Sequence, residues 1–193
     1  MEGHIVYIDS IPVGGHHVTS DIARGLSTPL EEAERTKSLH GSVLAAIGDT
    51  DQMITLPMVG EDPLENPQQI ELGLLGEIIR PRIEEIFEML SKRLEINGFA
   101  NAAGQRVVLV GGASQMPGMT DYVATMFGRA VRNGKPLGIV GMADATRGPA
   151  FSAAAGLLRF AAVEQQFEPR RVSDRHDRSG MISRITQWFN THI

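Results

Sequence analysis

A chain of 193 residues with 42% hydrophobic content is long enough to bury a core, either as one ordinary domain or as two small lobes. Its 23 acidic and 18 basic residues leave a net charge of -5, which excludes the general phosphate attraction that a nucleic-acid binder needs. Cysteine is absent, so disulfides, thiolate metal sites and a cysteine nucleophile are excluded, and with no secretory leader and no run near the roughly 20 apolar residues of a bilayer span, a globular cytoplasmic protein is expected.

In chain order, Ile5 to Ile11 alternates and then meets Pro12, and is expected as a strand running into Gly14 and Gly15. A helix follows, with Thr19 or Ser20 as its cap, Ile22, Ala23 and Leu26 on its apolar face, and Gly25 and Pro29 marking its end. Pro29 to His40 is expected as a second helix. Its glutamates at 31, 32 and 34 come early and Lys37 late, as the helix dipole prefers, and Gly41 stops it. Residues 42–68 carry short apolar runs such as Met53 to Val59 between glycines and prolines, and are expected as a small β-containing insertion. From Ile70 to Asn97 apolar residues recur at helical spacing, with Pro81 expected to kink the helix or begin its second half.

Arg106 to Val110 is an almost unbroken apolar run, expected as a strand buried on both faces. It enters Gly111-Gly112-Ala113-Ser114, after which a helix over Thr120 to Phe127, a short strand near Val131 and a helix over Pro149 to Phe160 complete an α/β pattern. Residues 164–179 are rich in arginine and acids and poor in large apolar groups, the composition of a flexible tether.

Two features carry chemistry. A strand ending in Gly-Gly-Ala-Ser suits a ligand loop, because glycine lets backbone approach a nucleotide where a Cβ would collide; the same turn also serves as a plain strand-to-helix connection. It matches neither the dinucleotide fingerprint nor the lysine-bearing phosphate loop. In residues 180–193, Met181, Ile182, Ile185, Trp188, Phe189 and Ile193 fall on one helix face, with Ser183, Arg184, Gln187, Asn190 and Thr191 opposite. Placed after an arginine-bearing tether, that stripe suits an anionic bilayer interface, and it equally suits a helix docking on the chain's own core or on a partner. Partial burial of those side chains in lipid offers only a few kcal/mol, so firm attachment requires self-association. His16 and His17 are adjacent but lack a third ligand nearby, and no metal is expected.

The run Val107 to Gly118 resembles the adenosine motif of the actin, Hsp70 and sugar kinase superfamily. Ile11-Pro-Val-Gly-Gly-His-His-Val-Thr-Ser-Asp-Ile22, Thr28-Pro-Leu-Glu-Glu-Ala-Glu34 and Gly148-Pro-Ala-Phe-Ser-Ala-Ala-Ala-Gly-Leu-Leu158 are, in that order, similar to the FtsA family of bacterial cell division proteins. The resemblance covers essentially the whole chain. It implies an actin-like (ribonuclease H-like) subdomain from residues 1–41 and 106–163, a smaller α+β insertion lobe from residues 42–105, a flexible linker over 164–179 and a membrane-targeting amphipathic helix over 180–193.

The resemblance further implies ATP as ligand, with Glu34 and Lys37 lining the adenosine, Gly111, Gly112, Ala113 and Ser114 covering it from the other side, and Gly14 and Gly15 near the sugar or phosphates. By their spacing alone, Glu34 and Lys37 could equally form a solvated ion pair on one helix face. The family's phosphate hairpins, magnesium-holding acids and assembly subdomain would precede the first strand here, so adenosine contacts alone, weak ATP binding and no hydrolysis are expected. In that family the lobe around Ile78 to Leu94 receives the C-terminal tail of the tubulin-like protein FtsZ, which makes Arg82 and Glu85 candidate contacts, although either could simply lie on a solvated face. The implied role is a non-enzymatic tether that joins the FtsZ ring and other divisome proteins to the cytoplasmic side of the inner membrane. The rival readings are a small-molecule kinase of the same superfamily and a cytosolic filament or chaperone-like protein.

Overall fold

In a computed structural model of the protein, the structure describes residues 5–45, 51–61, 66–100 and 106–164. The tether and the terminal stripe expected over 164–179 and 180–193, including Met181, Ile182, Ile185, Trp188 and Phe189, lie outside the described residues apart from Glu164. None of the described helices is long and apolar enough to cross a membrane.

Two helices open the fold, α1 (Gly15–Gly25) and α2 (Leu30–His40). Strands β1 (Met53–Leu56) and β2 (Gln68–Glu71) pair antiparallel, placing Ile54 opposite Ile70. A long helix α3 (Leu72–Ile96) follows, then β3 (Arg106–Leu109), α4 (Met119–Phe127), β4 (Ala130–Asn133) and α5 (Ser152–Glu164). Strands β3 and β4 pair parallel, Arg106 opposite Ala130. One apolar core runs through the described body: Val18 and Ile22 of α1, Leu75, Ile79 and Ile83 of α3, Ile54 and Ile70 of the hairpin, and Met119 and Val123 of α4 belong to the same cluster.

Several expectations change. Ile5 to Ile11 forms no strand, and Ile5, Val6 and Ile8 are about four-fifths exposed. Alternation supplies a face but not a ladder partner, and this segment is held by side chains instead. Tyr7 stacks on Phe99 with ring centroids 4.5 Å apart, its hydroxyl donates to Asp9 at 2.6 Å, and Asp9 meets Arg93 at 3.5 Å. The first helix begins at Gly15, four residues before Thr19. Gly14 caps it: the Gly14 carbonyl accepts from the His17 N–H at 2.9 Å, and His17 Nδ1 accepts from the Gly14 N–H at 3.2 Å.

Ile70 belongs to β2, not to the long helix, because pairing with Ile54 buries both side chains. That helix runs through Pro81 from Leu72 to Ile96. Pro81 is exposed, so water can meet the carbonyl it frees, while Ile79 and Ile83 on either side stay in the core. Strand β3 is buried on one face only: Val107 and Leu109 pack on the core, whereas Val108 is 45% exposed. A continuous apolar run does not reveal which of its faces a neighbour will cover.

A candidate nucleotide cleft between two helices and a glycine turn

The Gly111-Gly112 turn is fixed by backbone conformation. Gly111 sits at φ 94°, ψ 168°, a region that side-chain-bearing residues avoid. Its N–H donates to the Pro149 carbonyl at 2.9 Å, so the Gly148-Pro149 segment, far away in sequence, holds the turn open. Residues 112–115 then form a short 3-10 turn. A Cβ on Gly111 or on Gly112 would meet nothing within 4 Å, which shows open space beside both. At Gly15 an added Cβ would lie 3.2 Å from the Ala113 side chain, so glycine lets the first turn of α1 approach this loop closely.

Gly15, His16, Glu34, Lys37 and Ser38 face Val110 to Ala113 and Gln115 to Pro117 across a cleft of about 690 Å³. Of the eight nucleotide candidates, Gly15, Glu34, Lys37, Gly111, Gly112 and Ala113 therefore line one cavity. Gly14 is spent on capping α1. Ser114 is 7% exposed and its hydroxyl donates back to the Gly111 carbonyl at 2.7 Å, so it braces the turn rather than lining the space.

Lys37 is the more buried partner of the Glu34 pair, whereas the Glu34 side chain stays about half exposed. The Lys37 side chain is 11% exposed, and its ammonium donates to Glu34 Oε2 at 2.6 Å, to Thr19 Oγ1 at 2.7 Å and to the Gly15 carbonyl at 3.2 Å. The Thr19 hydroxyl in turn donates to Glu34 Oε2. Partial burial pushes the Glu34 carboxyl up, but the hydrogen bonds from Lys37 and Thr19 outweigh it, and its pKa ends below the ordinary value of 4.5. The cleft thus offers a held carboxylate on one wall and unobstructed backbone on the other. That pairing suits a small polar ligand.

Sequence reasoning missed Thr19, read as a cap, and Ser38, whose position four residues after Glu34 puts both on one helix face and was a usable signal. Gln115, Met116 and Pro117 lie in the same glycine-rich run, where spacing gave no sign of which residues turn inward. His17 is engaged in capping, and among the described residues no group of three His, Cys, Asp or Glu side chains could hold a metal.

Arg82 and Glu85 lie on α3. Arg82 Nε donates to Asp21 Oδ2 at 2.5 Å and a terminal nitrogen to Oδ1 at 3.1 Å, tying α3 to α1; another terminal nitrogen bonds Glu85. The Asp21 hydrogen bond raises the pKa of the guanidinium and holds it charged. The Glu85 side chain remains about half exposed.

Comparison with known proteins places the chain. The family model described as "Cell division protein FtsA" matches residues 1–156. The Cell division protein FtsA of Agrobacterium fabrum is 42% identical over 192 residues, covering 97% of this chain and 43% of the relative. That of Escherichia coli K12 is 32% identical over 196 residues, covering 97% and 46%. The chain therefore spans less than half the length of these curated relatives. In fold it is similar to MreB5 of Spiroplasma citri, solved bound to ADP (TM-score 0.59, 15% identity, 86% of this chain and 50% of that one) and to AMPPNP (TM-score 0.58, 16% identity, 86% and 49%). The architecture is accordingly actin-like, and the chain belongs to the FtsA family of cell division proteins.

Proposed function

We propose that this chain is the nucleotide-binding and membrane-attaching part of a tether for the division ring. Adenine nucleotide occupies the cleft between α1, α2 and the Gly111-Gly112 turn, and its occupancy governs self-association. The α3 region holds the C-terminal tail of FtsZ, and residues 180–193 lie in the cytoplasmic face of the inner membrane at the septum, where other divisome proteins gather. The observation that carries the reading is the convergence of Gly15, Glu34, Lys37 and Gly111 to Ala113 on one 690 Å³ cleft in an FtsA-family chain. Nucleotide binding by this chain is further supported by the ADP and AMPPNP of the two MreB5 structures.

No group for chemistry on a second substrate is needed, and the role is binding rather than catalysis. Steady ATP turnover by the chain would overturn that part. The membrane role rests on the Met181, Ile182, Ile185, Trp188 and Phe189 stripe in the sequence. In a flotation assay with vesicles containing anionic lipid, the chain should rise with the lipid and Trp188→Glu should stay behind. Equal recovery of both in the bottom fraction would refute the attachment. For the FtsZ tail, Glu85→Ala is the informative variant, because Arg82→Ala also removes the Asp21 link between α3 and α1. Tail-peptide affinity unchanged by Glu85→Ala removes that residue from the contact.

A further inference from the structure

We infer that Thr19 is a positioning residue for the cleft: its hydroxyl fixes Glu34 and Lys37 relative to each other, so that Glu34 meets the ligand as a held, ionised acceptor. This rests on the cleft being the nucleotide site.

Thr19 is only 1% exposed and stands on α1, while Glu34 and Lys37 stand on α2. A buried threonine in a helix usually bonds back to the carbonyl four residues earlier. Here that contact, to the Gly15 carbonyl, is long at 3.3 Å. The hydroxyl is used across the helix pair instead, accepting from Lys37 Nζ at 2.7 Å and donating to Glu34 Oε2. A hydroxyl can do both at once because it holds one proton and two lone pairs.

The bond inventory decides what each partner can still do. An ammonium has three donors, and Lys37 directs its three to Gly15, Thr19 and Glu34. In this arrangement Lys37 has no further hydrogen to offer a ligand, and acts as the charge that holds Glu34. Both hydrogen bonds to Glu34 described above end on Oε2. The carboxylate lines the cleft and is half exposed, so Oε1 is the oxygen available to a hydroxyl or amine donor of the ligand. Removing the Thr19 hydroxyl takes one donor from Glu34 and one acceptor from Lys37 at the same time. The ammonium then keeps only Gly15 and Glu34, and the carboxylate is held by Lys37 alone.

The test compares Thr19→Val, which keeps shape but not the hydroxyl, with Thr19→Ser, which keeps the hydroxyl, in the full chain. Two readouts are taken: the Glu34 carboxyl titration by carbon NMR on ligand-free protein, assigned with Glu34→Gln, and ATP affinity by calorimetry. Thr19→Val should move the Glu34 titration upward towards its ordinary value and weaken ATP by about tenfold, as expected for loss of a hydrogen bond to a charged group. Thr19→Ser should restore both. A Glu34 titration unmoved in Thr19→Val, or ATP affinity equal to the parent in a parent that binds, overturns the inference. Equal loss in Thr19→Ser also overturns it, because that pattern reflects packing and not the hydroxyl. If the parent itself ignores ATP, the nucleotide reading fails while the ligand-free titration still decides the Thr19 role. Thr19→Ala replaces Thr19→Val should valine disturb the fold, with the same expected outcomes.

Discussion

Two glycines inside helices should respond to alanine with opposite signs. In α3, Gly76 is buried against the chain at Ala45: a Cβ there would fall on the Ala45 carbonyl oxygen and lie 2.8 Å from its carbon and 3.0 Å from its Cβ. The obstacle is backbone, and it is not free to retreat. Arg80 donates from Nε to the Val43 carbonyl at 3.2 Å and from a terminal nitrogen to that of Ala45 at 3.1 Å. Moving the segment aside costs about 1–3 kcal/mol as overpacking. Weakening those two bonds adds about 1 kcal/mol each. Alanine returns only about 1 kcal/mol of helix propensity, so Gly76→Ala should lose about 2–4 kcal/mol, roughly 4–16 °C in Tm for a chain of this size. Gly156 in α5 meets nothing within 4 Å, and Gly156→Ala should gain about 0.5–1 kcal/mol. Urea unfolding followed by far-UV circular dichroism reads both variants beside the parent. A Gly76→Ala protein as stable as the parent would refute the packing of α3 on residues 43–45, and a destabilised Gly156→Ala protein would refute the open space at Gly156.

The bidentate link between Arg82 and Asp21, with side chains 25% and 19% exposed, should appear in a double-mutant cycle of Arg82→Met and Asp21→Asn as a coupling of about 1–2 kcal/mol that persists in salt; zero coupling would contradict it. Because the Glu34 pKa is lower in the folded chain than its ordinary value, the carboxylate contributes stability above the unfolded value of about 4.5, and this is lost as pH falls through the folded value. The stability difference between the parent and Glu34→Gln should therefore shrink as pH falls from about 5 through that lowered value, by less than a buried pair would give because the side chain is half exposed. A difference constant over that range would contradict the shift.

Much of the element order is legible in the sequence because local signals and packing agree. Gly41 stops α2, Gly25 ends α1, and Gly111 sits where the backbone needs glycine. The failures share a cause: alternation and apolar runs describe a segment, not its neighbours. Ile5 to Ile11 has strand-like alternation without a ladder, and Ile70 continues a helical spacing although Ile54 claims it for a hairpin. The cleft divides the same way. Glycines announce an open turn, and Glu34 with Lys37 announces a shared helix face. That Thr19 of another helix closes this pair into a network depends on how α1 packs on α2, which spacing along one helix does not encode.

The claim that the cleft holds adenine nucleotide is tested most directly by ATP titration of the chain against Gly112→Val. Open space beside Gly112 lets the fold accept the larger side chain, which then projects into the cleft between the turn and Glu34. The account predicts a parent that binds ATP, and a variant that melts within about 2 °C of it and binds at least about tenfold more weakly. Equal affinity in the two proteins, or a folded parent with no measurable ATP binding, would contradict it.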